Sequence, residues 1–185
     1  RELWKTDGTT NGTVLVKDIY VGDEGDDGLS SNAELINYQG TLFFTASDGV
    51  NGRELWKSDG TEAGTQMVKD IYPKSSNSNT IRNGSPSNLI VYNDLLLFVA
   101  QDSTGYKIWR SDGTEAGTQP YIDMETGGGL IDVNGTLFFA GIDDEHGREL
   151  WRTDGTPEGT RMVQDIFAGP NDSSPRPLGY INDAL

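Results

Sequence analysis

Residues 54–65 read ELWKSDGTEAGT, and the phrase returns as ELWKTDGTTNGT from Glu2, KIWRSDGTEAGT from Lys107 and ELWRTDGTPEGT from Glu149. Repetition on this scale decides the architecture before local propensity does, because each repeat is a unit that buries its apolar surface against the next. Trp4, Trp56, Trp109 and Trp151 mark one point of the unit, at spacings of 52, 53 and 42 residues. The short third interval comes from a trimmed linker: ETGGG, residues 125–129, stands where other copies carry VGDEGDDGLSSNA or PKSSNSNTIRNGSPS. A second block, LINYQGTLFFTASD from Leu35, recurs from Leu89 and Leu130, and LGYINDAL from Leu178 begins a further copy.

Each unit predicts four short strands. ELINY ends in a two-residue polar turn, Gln39-Gly40, Asn93-Asp94 or Asn134-Gly135, and Asn-Gly is the strongest short hairpin signal. TLFFTA is apolar throughout, as expected of a strand covered on both faces. RELWKS places Leu55 on one face and Glu54 with Trp56 on the other, and TQMVKDIY follows DGTEAG as the fourth strand. One antiparallel meander cannot bury both faces alone; stacked radially on its neighbours it can. The expectation is an all-β chain, a partial β-propeller with four-stranded antiparallel blades of about 50 residues. Residues 1–20 are then half a blade, 33–72, 88–124 and 130–167 whole blades, and 177–185 the start of another. A flat β-solenoid is the alternative, with coils about half as long. The blade phase is open, because the strand taken as third is outermost under another cut. Three blades and two fragments do not close a ring, so the chain is expected to be a window from a longer protein or to have its edges covered by other chains.

The block ELWKSDGTEAGT resembles the ELW-x-x-DGT repeat family of long, mostly bacterial exported proteins. Leu55-Trp56, Asp59-Gly60-Thr61 and Gly64-Thr65 recur at fixed spacing, and the resemblance covers nearly the whole chain. It implies a repeat architecture and an extracellular or cell-surface setting, with no particular activity. The copy at Lys107 departs from it, with lysine for glutamate and Ile108 for leucine, which argues against chemistry at the glutamate. ASDGVNGRELW, residues 46–56, is similar to the tryptophan-docking motif of quinoprotein-type propellers, in which a small residue, an Asp, a Gly and a Trp tie blades together. Asp143, Gly147 and Trp151 keep its spacing, while the turn from Asp102 to Trp109 is one residue shorter. Cofactor-free scaffolds carry the motif too, so it implies architecture and no quinone.

The repeated residues admit structural and functional readings. Trp4, Trp56, Trp109 and Trp151 suit knobs between adjacent sheets, the competing role being a sugar-stacking platform. Asp7, Asp59, Asp112 and Asp154 precede Gly-Thr, where a carboxylate accepts backbone N–H bonds two residues on; a ligand site is the sharper alternative. Asp18, Asp70, Asp123 and Asp165 recur late in the fourth strand. They either bond neighbouring amides or ring a hard cation such as Ca²⁺, which takes six to eight oxygens at about 2.4 Å. Without a D-x-D-x-D-G spacing the structural role is preferred and calcium is expected to be dispensable. GDEGDDG, residues 22–28, offers Asp23, Glu24, Asp26 and Asp27 for weak calcium binding, or a solvated loop. His146, the sole histidine, has Asn51 as its counterpart, which marks loop variation.

The chain of 185 residues carries 29 acidic against 14 basic side chains, a net charge of −15, which disfavours nucleic acid and anionic membrane surfaces. No apolar run approaches the roughly 20 residues of a membrane span. The absence of cysteine excludes disulfides and thiol chemistry. Nothing matches a nucleophile elbow or a phosphate-binding glycine loop, and the sequons at Asn11, Asn83, Asn134 and Asn171 decide little. Variable linkers on repeated cores point to a structural or protein-interaction module for adhesion or assembly, rather than to an enzyme. Its expected partners are other protein chains or flanking repeats of the same protein. The alternative is a carbohydrate- or Ca²⁺-binding propeller, with a propeller enzyme further behind.

Overall fold

The computed structural model describes residues 1–20, 22, 28–76, 80–176 and 179. The tail copy from Leu178 and the acidic side chains of the first linker lie outside the described residues, within which the chain is all-β with no helix. β1 (Leu3–Lys5) and β2 (Val14–Lys17) form a two-stranded antiparallel sheet. β3 (Leu35–Tyr38), β4 (Thr41–Ser47), β5 (Arg53–Ser58) and β6 (Gln66–Lys69) form a four-stranded antiparallel meander in sequence order. β7 (Ser87–Tyr92), β8 (Leu95–Asp102), β9 (Gly105–Ser111) and β10 (Gln119–Ile122) repeat it. So do β11 (Glu125–Val133), β12 (Thr136–Asp143), β13 (Gly147–Thr153) and β14 (Arg161–Gln164). The chain divides into two compact units, one of residues 1–86 with 113–115, the other of 87–112 with 116–185.

Local chemistry explains the meander. The first hairpin of every four-stranded sheet turns on two residues of positive φ, Gln39 (51°) with Gly40 (80°), Asn93 (47°) with Asp94 (58°), and Asn134 (51°) with Gly135 (79°). Positive φ at both central positions is the type I′ turn, whose twist matches that of the flanking strands. Two of these turns are capped from the strand before, Gly40 N–H donating to Asn37 Oδ1 and Gly135 N–H to Asp132 Oδ1. The strands that read as apolar throughout, β4, β8 and β12, are the most buried, with Phe44, Leu96, Leu97, Phe98, Leu137 and Phe139 removed from solvent.

In the first unit, Leu3, Val16, Ile19 and Leu29 pack against Phe44, Ala46 and Trp56, so β1 and β2 cover one face of the β3–β6 sheet. In the second, Ile108 and Ile122 meet Phe139 and Trp151, while Tyr92 and Leu97 meet Leu137. The Tyr92 hydroxyl closes this contact by donating to the Gly135 carbonyl at 2.9 Å. Both tryptophans therefore stack on the preceding sheet. The indole N–H groups of Trp56 and Trp151 are buried without acceptors, so area and shape are what these side chains contribute. Trp109 is buried as well, whereas Trp4, at the same register position in β1, is 58% exposed.

The third four-stranded sheet starts earlier than the expected Leu130. β11 begins at Glu125, because the trimmed linker leaves no chain to loop out and its residues join the sheet. The register shifts between Thr126 and Gly128, and again between Gly128 and Ile131. Gly128 (φ 92°) and Gly129 (φ 75°) absorb the bulges in conformations that side chains resist.

Trp56→Ala is expected to destabilise the chain by about 3–5 kcal/mol, the range for truncating a buried large aromatic. Trp4→Ala should change stability by no more than about 0.5 kcal/mol, as for an exposed site. Urea unfolding of both variants checks the contrast, and equal effects would contradict the packing described.

Candidate functional site

The repeated twelve residues form two devices, a turn and a clamp. In the turn, Asp59 Oδ1 accepts from the Thr61 amide at 2.8 Å and from the Thr61 hydroxyl at 2.7 Å. Thr61 Oγ1 in turn accepts from Gly64 N–H, and the Thr65 hydroxyl donates back to the Thr61 carbonyl. Thr65 also shares a buried 2.7 Å hydrogen bond with Ser58, which accepts from Gly60 N–H. The same bonds recur around Asp7 and Asp154. A Cβ at Gly12, Gly64, Gly117 or Gly159 would overlap the carboxylate of Asp7, Asp59, Asp112 or Asp154 respectively, so the second glycine of DGTxxGT makes room for the aspartate. The threonine side-chain bond, then its backbone bond, hold the carboxyls of Asp7, Asp59 and Asp154 below the usual range.

The turn before the tryptophan strand is capped in the same manner. Asp48 accepts from the amides of Val50 and Asn51 and from the Asn51 side chain, while Asp143 accepts from the amides of Glu145 and His146. The His146 ring nitrogen lies 3.1 Å from the Asp143 carboxylate, taking the place of the Asn51 amide. Histidine thus does a turn residue's work.

The clamp is the glutamate of ELW. Glu54, fully buried, accepts from Ile71 N–H at 3.0 Å and from Gly84 N–H at 2.7 Å. Glu2 accepts from Ile19 N–H and Gly28 N–H at 2.6 and 2.9 Å. Glu149 accepts from Ile166 N–H at 3.1 Å and from both the amide and the hydroxyl of Ser173. In every case one side chain seizes the residue where the linker leaves the fourth strand and the residue where it returns. Linkers of three different lengths, Ile19 to Gly28, Ile71 to Gly84 and Ile166 to Ser173, are therefore pinched to the same stem.

Lys107 now has a physical reason. The linker after β10 is the trimmed one, so a glutamate there would have no returning amide to hold. The registers pair Leu55 with Lys69 and Ile108 with Ile122, which sets Glu54 opposite Asp70 and Lys107 opposite Asp123. Lys107 Nζ reaches Asp123 Oδ1 at 2.5 Å, so an attractive pair stands where a clamp-less glutamate would meet a like charge.

Electrostatics differ between the clamps. Burial pushes the Glu54 carboxyl up to about 8 against the pull of the Gly84, Ile71 and Tyr72 amides, and the Asp70 charge adds to the rise. Burial also works against ionised Glu149, but the Ser173 hydroxyl and the amides of Ile166, Ser173 and Phe167 hold its carboxyl below the usual range.

In the other aspartate set, Asp70 and Asp165 each bury an Oδ1 without a partner among the described residues, Asp165 Oδ2 accepts from Gly169 N–H, and Asp123 is instead paired with Lys107. Among the described residues no group of three or more His, Cys, Asp or Glu is placed to hold a metal ion. No family model matches the chain, and no curated protein matches it.

Glu54→Ala strands two buried amides and should cost about 2–4 kcal/mol. The Glu54 carboxyl is raised in the fold from 4.5 to about 8, so the folded state binds its proton more tightly than the unfolded state. Its contribution is full below about pH 4.5 and is lost as pH rises towards about 8. The advantage in Tm of the unaltered chain over Glu54→Gln should accordingly shrink across that window, and a constant or growing advantage would refute the linkage. Gly64→Ala should destabilise by about 1–3 kcal/mol through overlap with Asp59, and Asp59→Ala in the same chain should relieve part of that loss. A thermal-unfolding double-mutant cycle measures both.

Proposed function

We propose that each four-stranded sheet is one blade of a β-propeller of the ELW-x-x-DGT kind. In this reading the chain is a structural and protein-interaction module of an exported bacterial surface or secreted protein, working in adhesion or assembly. The glutamate clamp is the observation that carries it. The repeated polar side chains of the turn and clamp are engaged within the fold, which leaves the linkers as the parts that differ from copy to copy. Binding by loops on a rigid scaffold follows the general division of labour between connections and core. Other protein chains or flanking repeats are the partners this reading names.

A linker graft tests it. Residues 72–83 replaced by the sequence of residues 20–27 should leave Tm within a few degrees, since changing a closed loop's length by a factor of two costs only about 0.6 kcal/mol. The same graft should alter which surface proteins of the producing bacterium the chain captures. Unfolding of the graft would show that the linkers belong to the core, and unchanged capture would show that binding lies elsewhere.

A further inference from the structure

Beside the trimmed linker stands an arginine whose side chain has no partner among the described residues. In the first unit, Arg53 donates through Nη1 to Ser30 Oγ at 2.7 Å, on the linker that enters its own sheet. Arg148 holds the equivalent place in β13, three residues before the tryptophan, but the chain entering its sheet is the short run 125–129. No serine arrives there. Among the described residues the Arg148 guanidinium has no hydrogen-bond or ion-pair partner, and its Nε is buried without one against Gly127. Glu125, exposed at the start of β11, has no side-chain partner either and lies along Gly105.

Both side chains line a cavity of about 260 Å³ within the second unit, together with Tyr106, Asn88, Val99 and Ile142. Left-handed backbone shapes its wall. Asn88 sits at φ 54° and its side-chain oxygen accepts from Gly129 N–H at 2.7 Å, with Gly128 at φ 92° beside it. Tyr106 replaces the arginine found at this position in the other copies, and its ring is 38% exposed.

We propose that this cavity binds a neutral polyhydroxylated ring of monosaccharide size. A guanidinium only donates and an ionised carboxylate only accepts, so a ligand that satisfies both must carry groups that do each, as hydroxyls do. The opposite charges of Arg148 and Glu125 cancel, and a chain of net charge −15 disfavours an anion. Tyr106 supplies a flat apolar face for the C–H side of a sugar ring. The volume falls just below the roughly 300–1,000 Å³ of pockets for drug-sized ligands, which suits a single ring. The proposal is independent of the scaffold reading, because it concerns the one interval that has no display loop.

The test is a titration of the whole chain with glucose, galactose or mannose up to about 100 mM, following the amide signals of Gly127, Gly128 and Gly129 by NMR. Saturable shifts with a Kd on the order of 1–10 mM are expected for at least one hexose. They should weaken about 10-fold or more in Arg148→Gln and in Tyr106→Ser, and persist in Arg53→Gln. Tyr106→Ser is decisive, because that side chain is already partly in solvent and its loss leaves the sheet intact. Absence of saturable shifts with every hexose would overturn the proposal, as would shifts indifferent to Tyr106→Ser. Equal competition by glycine would overturn it too, by showing that the two charges select a zwitterion.

Discussion

A four-stranded sheet whose second strand is apolar on both sides has two faces to hide and only itself to hide them with. Everything else in this chain follows from that constraint. β4 and β12 meet it by taking a neighbouring sheet on one face, through Phe44 and Trp56 in the first unit and Phe139 and Trp151 in the second. The tryptophan is large enough to fill the gap between two twisted sheets from a single position, which is why one indole per repeat suffices. Its N–H finds no acceptor at Trp56 or Trp151, a cost accepted because the apolar area gained is larger than one amine-type hydrogen bond returns. Gly141, where the second sheet has Ala46, shows how close the approach is, since a Cβ there would press on Trp151 and Met124.

Tight packing between sheets demands that the connections stay out of the way, and the clamp does this. A glutamate directed at two amides closes each linker at its base, so the chain beyond it can lengthen or shorten without disturbing the strands. Loop closure depends only weakly on length, so one side chain serves linkers of quite different size. When the linker shrinks to ETGGG the requirement disappears and the same position holds Lys107, bonded to Asp123. The trimmed interval has two further consequences. Its glycines are drawn into β11 as bulges, and Arg148 loses the kind of partner that Ser30 provides to Arg53. A single deletion in the repeat thus changes a strand, an ion pair and a cavity at once.

Much of this was legible in the sequence because it is local. Gln39-Gly40, Asn93-Asp94 and Asn134-Gly135 specify their turns through backbone sterics within two residues, and TLFFTA specifies a doubly covered strand through its own composition. Asp59 bonds Thr61, two residues away, so the DGT turn was readable as self-contained. The sequence therefore determined the strands of each four-stranded sheet and their meander order. Tertiary structure decided what depends on partners far along the chain. The amides held by Glu54 lie 17 and 30 residues away, so its role as a clamp had no local signature. The only hint was the coincidence of Lys107 with the trimmed linker. Trp4 is indistinguishable from Trp56 in sequence, yet one is exposed and the other buried, because burial belongs to whatever sheet lies alongside. The Arg148 cavity needs β7, β9, β11 and β13 to converge. No stretch of sequence contains it, since a missing hydrogen-bond partner is a property of space rather than of chain order.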